Sequence, residues 1–394
     1  MDFQPWVLLA MMAAFALGWV AARVDLRALL SESRTLPRSY FRGLNFLLSE
    51  QPDRAVDAFI EVVQLDPETI ELHFALGSLF RRRGETERAI RMHQNLLNRP
   101  DLPDDQRLHA MFELGIDYQK AGLLDRAEEA FRKLDGSTYA VDAQRHLLEI
   151  FEIQKEWTQA IEVAEALQTA GVGSQQIRIA QFHCEIAQSA ISDSRFEDAR
   201  TALQDALAVN RQNVRALMQQ GDIAAQEHRD EDAIAAWKKV EQQNAPYVSL
   251  IGERLMDAYT RVGRAEEGLR MLRSWLEAAP SIDLLETVVK AARTVEGSEA
   301  ANEVARVELH RNPSLLALAQ FLGTRGALDV PRVDDRVDLE VIKSLLSNHT
   351  RRIGRYVCTQ CGFKARNFYW QCPGCTNWET YPPRRTEELE PQRT

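Results

Sequence analysis

The side chains whose types and spacing could do chemistry lie together near the end of the 394-residue sequence: Cys358, Cys361, Cys372 and Cys375, four of its five cysteines. They form two Cys-x-x-Cys pairs, with ten residues between Cys361 and Cys372. Two residues between cysteines make a tight knuckle that turns both sulfurs toward one ion, and two facing knuckles present four thiolates tetrahedrally. Such a set suits one zinc or iron ion and suits magnesium or calcium poorly. Gly362 and Gly374 are expected to supply the positive backbone dihedrals of the two turns. With all four positions filled by protein, the ion is expected to be structural, holding together a module of fewer than about 40 residues with too little core of its own. Replacing Cys372 or Cys375 by serine is expected to release the ion and loosen this module, at little cost to the rest of the chain. Phe363, Phe368, Tyr369, Trp370 and Trp378 are expected to form a small core and a docking surface. Other readings of the same segment are two disulfides, which a reducing compartment disfavours, a redox iron centre, and a nucleic-acid ribbon built on Arg351, Arg352, Arg355, Lys364 and Arg366.

No second constellation accompanies it. The sequence holds no phosphate-binding glycine loop, no Gly-x-Ser-x-Gly elbow and no His-Glu-x-x-His helix, so no catalytic residue can be named and the chain is read as non-enzymatic. The eight histidines have no spacing that pairs two on one helical face, and each is read as a surface or capping residue. Cys184, on a helical pattern with Phe182 and Ile186, is read as a small buried hydrophobe. A formal net charge of -10 argues against nonspecific nucleic-acid binding by the body of the chain.

The elements that would carry the cysteines are helical. A pattern of Gly, aromatic, Ala and Phe recurs at about the 34-residue tetratricopeptide period. It runs through Gly43, Phe46, Ala55 and Phe59, then Gly77, Phe80 and Ala89, then Gly115, Tyr118, Ala127 and Phe131. Looser units come next with Phe151 and Ala160, with Ala187 and Ala199, with Gly221, Ala233 and Trp237, with Tyr259, Leu272 and Pro280, and an eroded eighth ends at Pro313. Small residues are needed where two helices cross closely, and neither helix of a pair can bury its apolar face alone, so stability comes from stacking neighbours. The fold class is therefore all-α, a right-handed tetratricopeptide solenoid with a concave groove, carrying a small C-terminal rubredoxin-like or zinc-ribbon module.

Residues Phe3 to Ala22 are uncharged and apolar, long enough at 1.5 Å per residue to span a hydrocarbon core of about 30 Å. Trp6 and Trp19 stand near the two ends, and Arg23, Arg27, Arg34, Arg38 and Arg42 come after the span against only Asp25 and Glu32. A cleaved signal peptide would need a basic start, whereas Asp2 is the one charged side chain before the run. The positive-inside rule places the chain beyond this span in the cytoplasm. The expected division is an anchor over 1–24, the solenoid over 35–325, a linker and short helix over 326–354, the four-cysteine module over 355–382 and a disordered tail over 383–394.

Taken in order, the apolar span Phe3 to Ala22, the repeats from near Tyr40 and the pairs Cys358/Cys361 and Cys372/Cys375 resemble the lipopolysaccharide assembly protein B family of Gram-negative bacteria. The resemblance covers essentially the whole chain. The cysteine pairs stand closer together than in true rubredoxins, so electron transfer is not implied. The resemblance implies a single-pass inner-membrane adaptor facing the cytoplasm that controls lipopolysaccharide synthesis. Such proteins promote degradation of the deacetylase that commits precursor to lipid A, acting with a membrane-bound ATP-dependent metalloprotease, and gather other lipopolysaccharide synthesis or transport proteins. Nucleic acid is not an expected partner. A scaffold for another envelope complex is the second reading, and a redox or nucleic-acid module the third.

Overall fold

The structure, a computed structural model, describes residues 70–324, 333–353 and 355–389, together with Met12–Phe15, Trp19, Arg42, Asn45, Phe46, Ser49, Arg54 and Ala58 before them. Of the expected anchor, Met12–Phe15 and Trp19 are helical, and the remainder lies outside the described residues, as does most of the first repeat. Among the described residues no helix is long and apolar enough to cross a membrane. The chain forms two compact units, residues 1–150 and 151–394, which are described separately.

In the first unit the helices are α1 (Ile70–Arg82), α2 (Thr86–Leu97), α3 (Asp104–Lys120), α4 (Leu124–Arg132) and the opening turns of α5 (Ala140–Gln154). The small-residue positions behave as the crossing argument requires. A Cβ on Gly115 would lie 2.6 Å from the Phe131 ring, and one on Gly77 would collide with His93. Ala89 and Ala127 are fully buried. In both pairs the ring stands sixteen positions after the glycine, so His93 occupies the place that Phe131 fills in the next repeat. This corrects the reading as a surface or capping residue for His93, while His228, His310 and His349 are exposed as that reading expects. His93 is fully buried, with Nδ1 2.6 Å from a carboxylate oxygen of the equally buried Asp117. Arg81 bridges Asp117 (2.7 Å) and Glu113 (2.6 Å). His109 stacks between Phe74 and Tyr139, and His146 stacks on Phe131, where burial lowers its pKa. A histidine ring has the flat shape an aromatic position demands, and the polar atom it brings inside requires the carboxylate found there.

The second unit continues with α6 (Trp157–Thr169), α7 (Gln176–Ser192), α8 (Phe196–Val209), α9 (Val214–Gln226), α10 (Asp230–Asn244), a 3-10 stretch (Ala245–Leu250), α11 (Gly252–Arg261), α12 (Ala265–Ala278), α13 (Ile282–Val295), α14 (Ser298–Arg311) and α15 (Leu315–Thr324). Trp237 covers Gly221 and donates its indole N–H to the Met218 carbonyl (3.1 Å). Tyr259 and Gly268 exchange these roles between the two helices of their pair. Ion pairs lace first helices of successive repeats: Arg215 to Glu185 (2.7 Å), Arg254 to Asp222 (2.6 Å) and Lys290 to Glu253. The first helix of each of these pairs ends in the same left-handed turn, at Lys155, Ser194, His228 and Gly263, and the following amide returns to the helix, as in Arg229 N to Ala224 O (2.8 Å).

Within residues 326–354, expected as a linker and short helix, lies the 21-residue helix α16 (Val333–Ile353), on which Ile342 and Leu345 are exposed. Two-residue strands β1 (Tyr356–Val357) and β2 (Lys364–Ala365) pair antiparallel, with Tyr356 opposite Ala365. Of residues 383–394, expected as a tail, 383–389 are described and include the helical turn α17 (Thr386–Leu389); residues 390–394 lie outside the described residues.

Candidate metal centre

Each cysteine pair sits on a tight turn. In the first, the β1–β2 hairpin returns the Phe363 carbonyl to Cys358 N (3.0 Å), and Gly362 N closes onto the Cys358 carbonyl (2.9 Å). The second repeats the pattern with Cys372 N to Asn377 O (2.9 Å) and Thr376 N to Cys372 O (2.8 Å). Gly362 has φ +74°, as expected, but its counterpart in the second knuckle is Thr376, at φ +57°. Gly374 is not left-handed. It is small because a Cβ there would press on Phe363 at 3.1 Å.

The turns bring all four sequence-identified sulfurs within 4.8 Å of one another. Cys358 and Cys375 sulfurs are 3.7 Å apart, as are those of Cys361 and Cys372. A tetrahedral site with metal–sulfur bonds near 2.3 Å has sulfur–sulfur edges of about 3.8 Å, whereas a disulfide needs about 2.05 Å. The two 3.7 Å edges therefore match a four-thiolate site for a thiophilic ion and exclude disulfides at those pairs. Further groups face the sulfurs: the Thr380 hydroxyl is 3.2 Å from Cys358, Asn377 Nδ2 is 3.5 Å from Cys375, and Gly374 N is 3.3 Å from Cys372. Burial opposes ionisation of Cys358, yet the Thr380 hydroxyl and the amides of Cys361 and Gln360 hold its thiol down at about 6. At Cys361 the Phe363 amide favours the thiolate, but lost hydration and hydrogen bonding with the other three sulfurs push the thiol up to about 12. Cys184 takes no part: it is buried elsewhere, 3.6 Å from Asn213 Oδ1, and burial raises it to about 12.

The module is packed along the second unit. Trp378 places its ring edge-on to Trp157 and Phe182 at 6.3 and 6.0 Å, and Trp370 stacks on Tyr247 at 5.6 Å with Arg215 over its ring. Gln371 donates to Glu152 (3.0 Å), and Gln181 donates to Glu379 (2.7 Å), whose pKa is raised by burial. Asp283 accepts from the Tyr356 hydroxyl (2.7 Å) and from Arg385 (2.7 Å), which also covers the Tyr356 ring. Glu388 accepts from Ile282 N (2.7 Å) and Arg385 N (2.6 Å), and Glu387 from Leu315 N (2.6 Å) and Leu316 N (3.1 Å). Two carboxylates thus satisfy open amides at the starts of α13 and α15, where the helix dipole favours negative charge. The docking role expected of Trp370 and Trp378 is seen. Asp283, Arg215, Gln181, Glu387 and Glu388 were not foreseen; nothing in the helical periodicity marks them.

A family profile described as "Rubredoxin metal binding domain" matches residues 356–383, and one described as "Tetratricopeptide repeat" matches 42–94, 112–174 and 184–248. Lipopolysaccharide assembly protein B of Escherichia coli (strain K12) is 34% identical over 375 residues, covering 94% of this chain and 96% of its own. The protein of that name from Haemophilus influenzae (strain ATCC 51907 / DSM 11121 / KW20 / Rd) is 31% identical, covering 95% and 97%. A solved tetratricopeptide repeat protein from Parabacteroides merdae aligns over 73% of this chain and 99% of its own at 12% identity with a TM-score of 0.26, too distant to add to the assignment. With helical repeats, a clustered four-sulfur site and likeness over nearly all of its length, the chain belongs to the lipopolysaccharide assembly protein B family.

Proposed function

We propose that this chain is a membrane-anchored adaptor that restrains lipopolysaccharide synthesis by delivering the committed-step deacetylase of lipid A synthesis to a membrane-bound ATP-dependent metalloprotease. The single observation that carries this reading is the likeness to lipopolysaccharide assembly protein B over 94% of the chain. A repeat array with a docked small module also suits a binding platform, since the open surface of stacked helices recognises partners without chemistry of its own. In this reading residues Phe3 to Ala22 anchor the chain in the bacterial inner membrane with the repeats in the cytoplasm, and confinement to one surface raises the effective concentration of adaptor, deacetylase and protease. Other lipopolysaccharide synthesis or transport proteins could be gathered there in the same way. Cys358, Cys361, Cys372 and Cys375 hold one zinc or iron ion, which neutralises the thiolates and keeps the module folded.

The test is the half-life of the deacetylase in cells depleted of this protein, with and without the protease. Stabilisation on depletion that disappears when the protease is already absent is expected. An unchanged half-life would rule the regulatory role out and leave a scaffold whose clients must be identified by crosslinking.

A further inference from the structure

The four sulfurs are not equivalent, and the difference points outward. Cys358 and Cys372 each keep 1% of their surface exposed and Cys375 is half-buried, whereas Cys361 is exposed. Hydrogen-bond donors are unequal too. Thr380 reaches Cys358 and Asn377 reaches Cys375. Among the described residues, Cys361 meets no side-chain donor other than the neighbouring thiols and has the Phe363 amide. Once an ion is bound all four are thiolates, so their differences in reactivity come from access and from the donors that draw charge off each sulfur.

We propose that Cys361 is the reactive corner of the centre, the site at which a soft electrophile alkylates the ion-bearing protein first. The chemistry is a displacement. A sulfur lone pair of Cys361 attacks the electrophilic carbon, a sulfur–carbon bond forms as the carbon–halogen bond breaks, and halide leaves with the electron pair. A thiolate is consumed and a halide released, so no oxidant and no proton are required. The product thioether is neutral and a weaker ligand, which leaves three thiolates to hold the ion. Alkylation at this one position thereby loosens the module without first unfolding it.

This inference rests on the four-thiolate reading, and the experiment separates the two. The zinc-loaded full chain, in detergent under reducing conditions, is treated with less than one equivalent of iodoacetamide. Bound zinc is measured on the same sample, and the labelled cysteine is located by peptide mass spectrometry. The expected result is bound zinc before treatment, the first carboxamidomethyl group on Cys361, and Cys184 unlabelled. In Asn377→Ala, which strips the donor from Cys375, label should begin to appear on Cys375 as well. First label on Cys358, Cys372 or Cys375 of the parent chain, or label spread evenly over the four, would overturn the inference alone. A sample that binds no zinc would overturn the four-thiolate reading and this inference with it.

Discussion

Replacing Asp283 by alanine should release the metal module from the repeats while leaving both folded. Asp283 accepts Arg385 through both of its oxygens, at 2.7 Å from Nη2 and 3.0 Å from Nε, and also accepts the Tyr356 hydroxyl at 2.7 Å. The two charged side chains keep 18% and 20% of their surface exposed, so water screens the pair only in part. Hydrogen bonds to charged groups contribute about 1.5–3 kcal/mol each, and the substitution also strands a half-buried guanidinium. Discounted for the remaining exposure, the loss is about 3 kcal/mol. At 1.4 kcal/mol per tenfold, the undocked fraction should rise about a hundredfold. Hydrogen exchange by mass spectrometry on the zinc-loaded chain reads this directly, as faster exchange in residues 356–389 and at the starts of α13 and α15, with bound zinc retained. Arg385→Ala should act similarly, and the double variant should cost less than the sum of the two, since one interaction is removed twice. Unchanged exchange in Asp283→Ala would refute the claim that this contact holds the module down.

Stripping the ion with a chelator should disturb the repeats as well as the module, raising exchange in helices that contact it between Glu152 and Leu316, contrary to the local effect expected from sequence; protection changes confined to 356–389 would return to that expectation. Gly115→Ala should destabilise by about 1–3 kcal/mol, because the new Cβ meets the Phe131 ring at 2.6 Å, while Gly323→Ala, whose Cβ would meet open space, should stabilise by up to about 1 kcal/mol; both are read from urea midpoints. Glu379→Gln keeps an acceptor for Gln181 and removes a charge that burial disfavours. The parent's raised carboxyl pKa means its protonated form suits the fold, a contribution fully present below the ordinary glutamate value and lost as pH rises through the raised one. The glutamine variant should therefore have the higher urea midpoint at neutral pH, with the gap closing on acidification; a gap that widens instead would show that the Arg215 charge, not burial, governs Glu379.

What the sequence made legible was whatever is encoded within a few turns of chain. Two residues between cysteines dictate a knuckle, and ten residues between the pairs return the second knuckle to the first. The Gly-to-aromatic step of sixteen positions likewise joins the two helices of a single hairpin. Even here local rules had limits. Gly374 looked like a turn glycine yet serves the approach of Phe363, and Thr376 takes the left-handed turn instead. His93 reads as polar until its place in the repeat is compared with Phe131, and its partner Asp117 lies on the following helix. The docking contacts were out of reach altogether, since Glu379 and Gln181 are separated by 198 residues and each looks like an ordinary surface residue of its own segment.

That separation also has a consequence in time. Gln371 joins Glu152 across 219 residues, so when a ribosome has finished the helix turn that carries Glu152 it must still translate the whole stretch between them. At 5–20 residues per second, this takes roughly 10–45 s. Within that interval Trp157, Phe182 and Tyr247, each from the moment it is made, lack the rings that later cover them, and the amides opening α13 and α15 lack their carboxylates. The period of greatest hazard from misassembly and proteolysis thus falls during biosynthesis. It ends when the late-made segment arrives, so nascent chains stalled short of Glu387 should be preferred targets of holding chaperones over the finished protein.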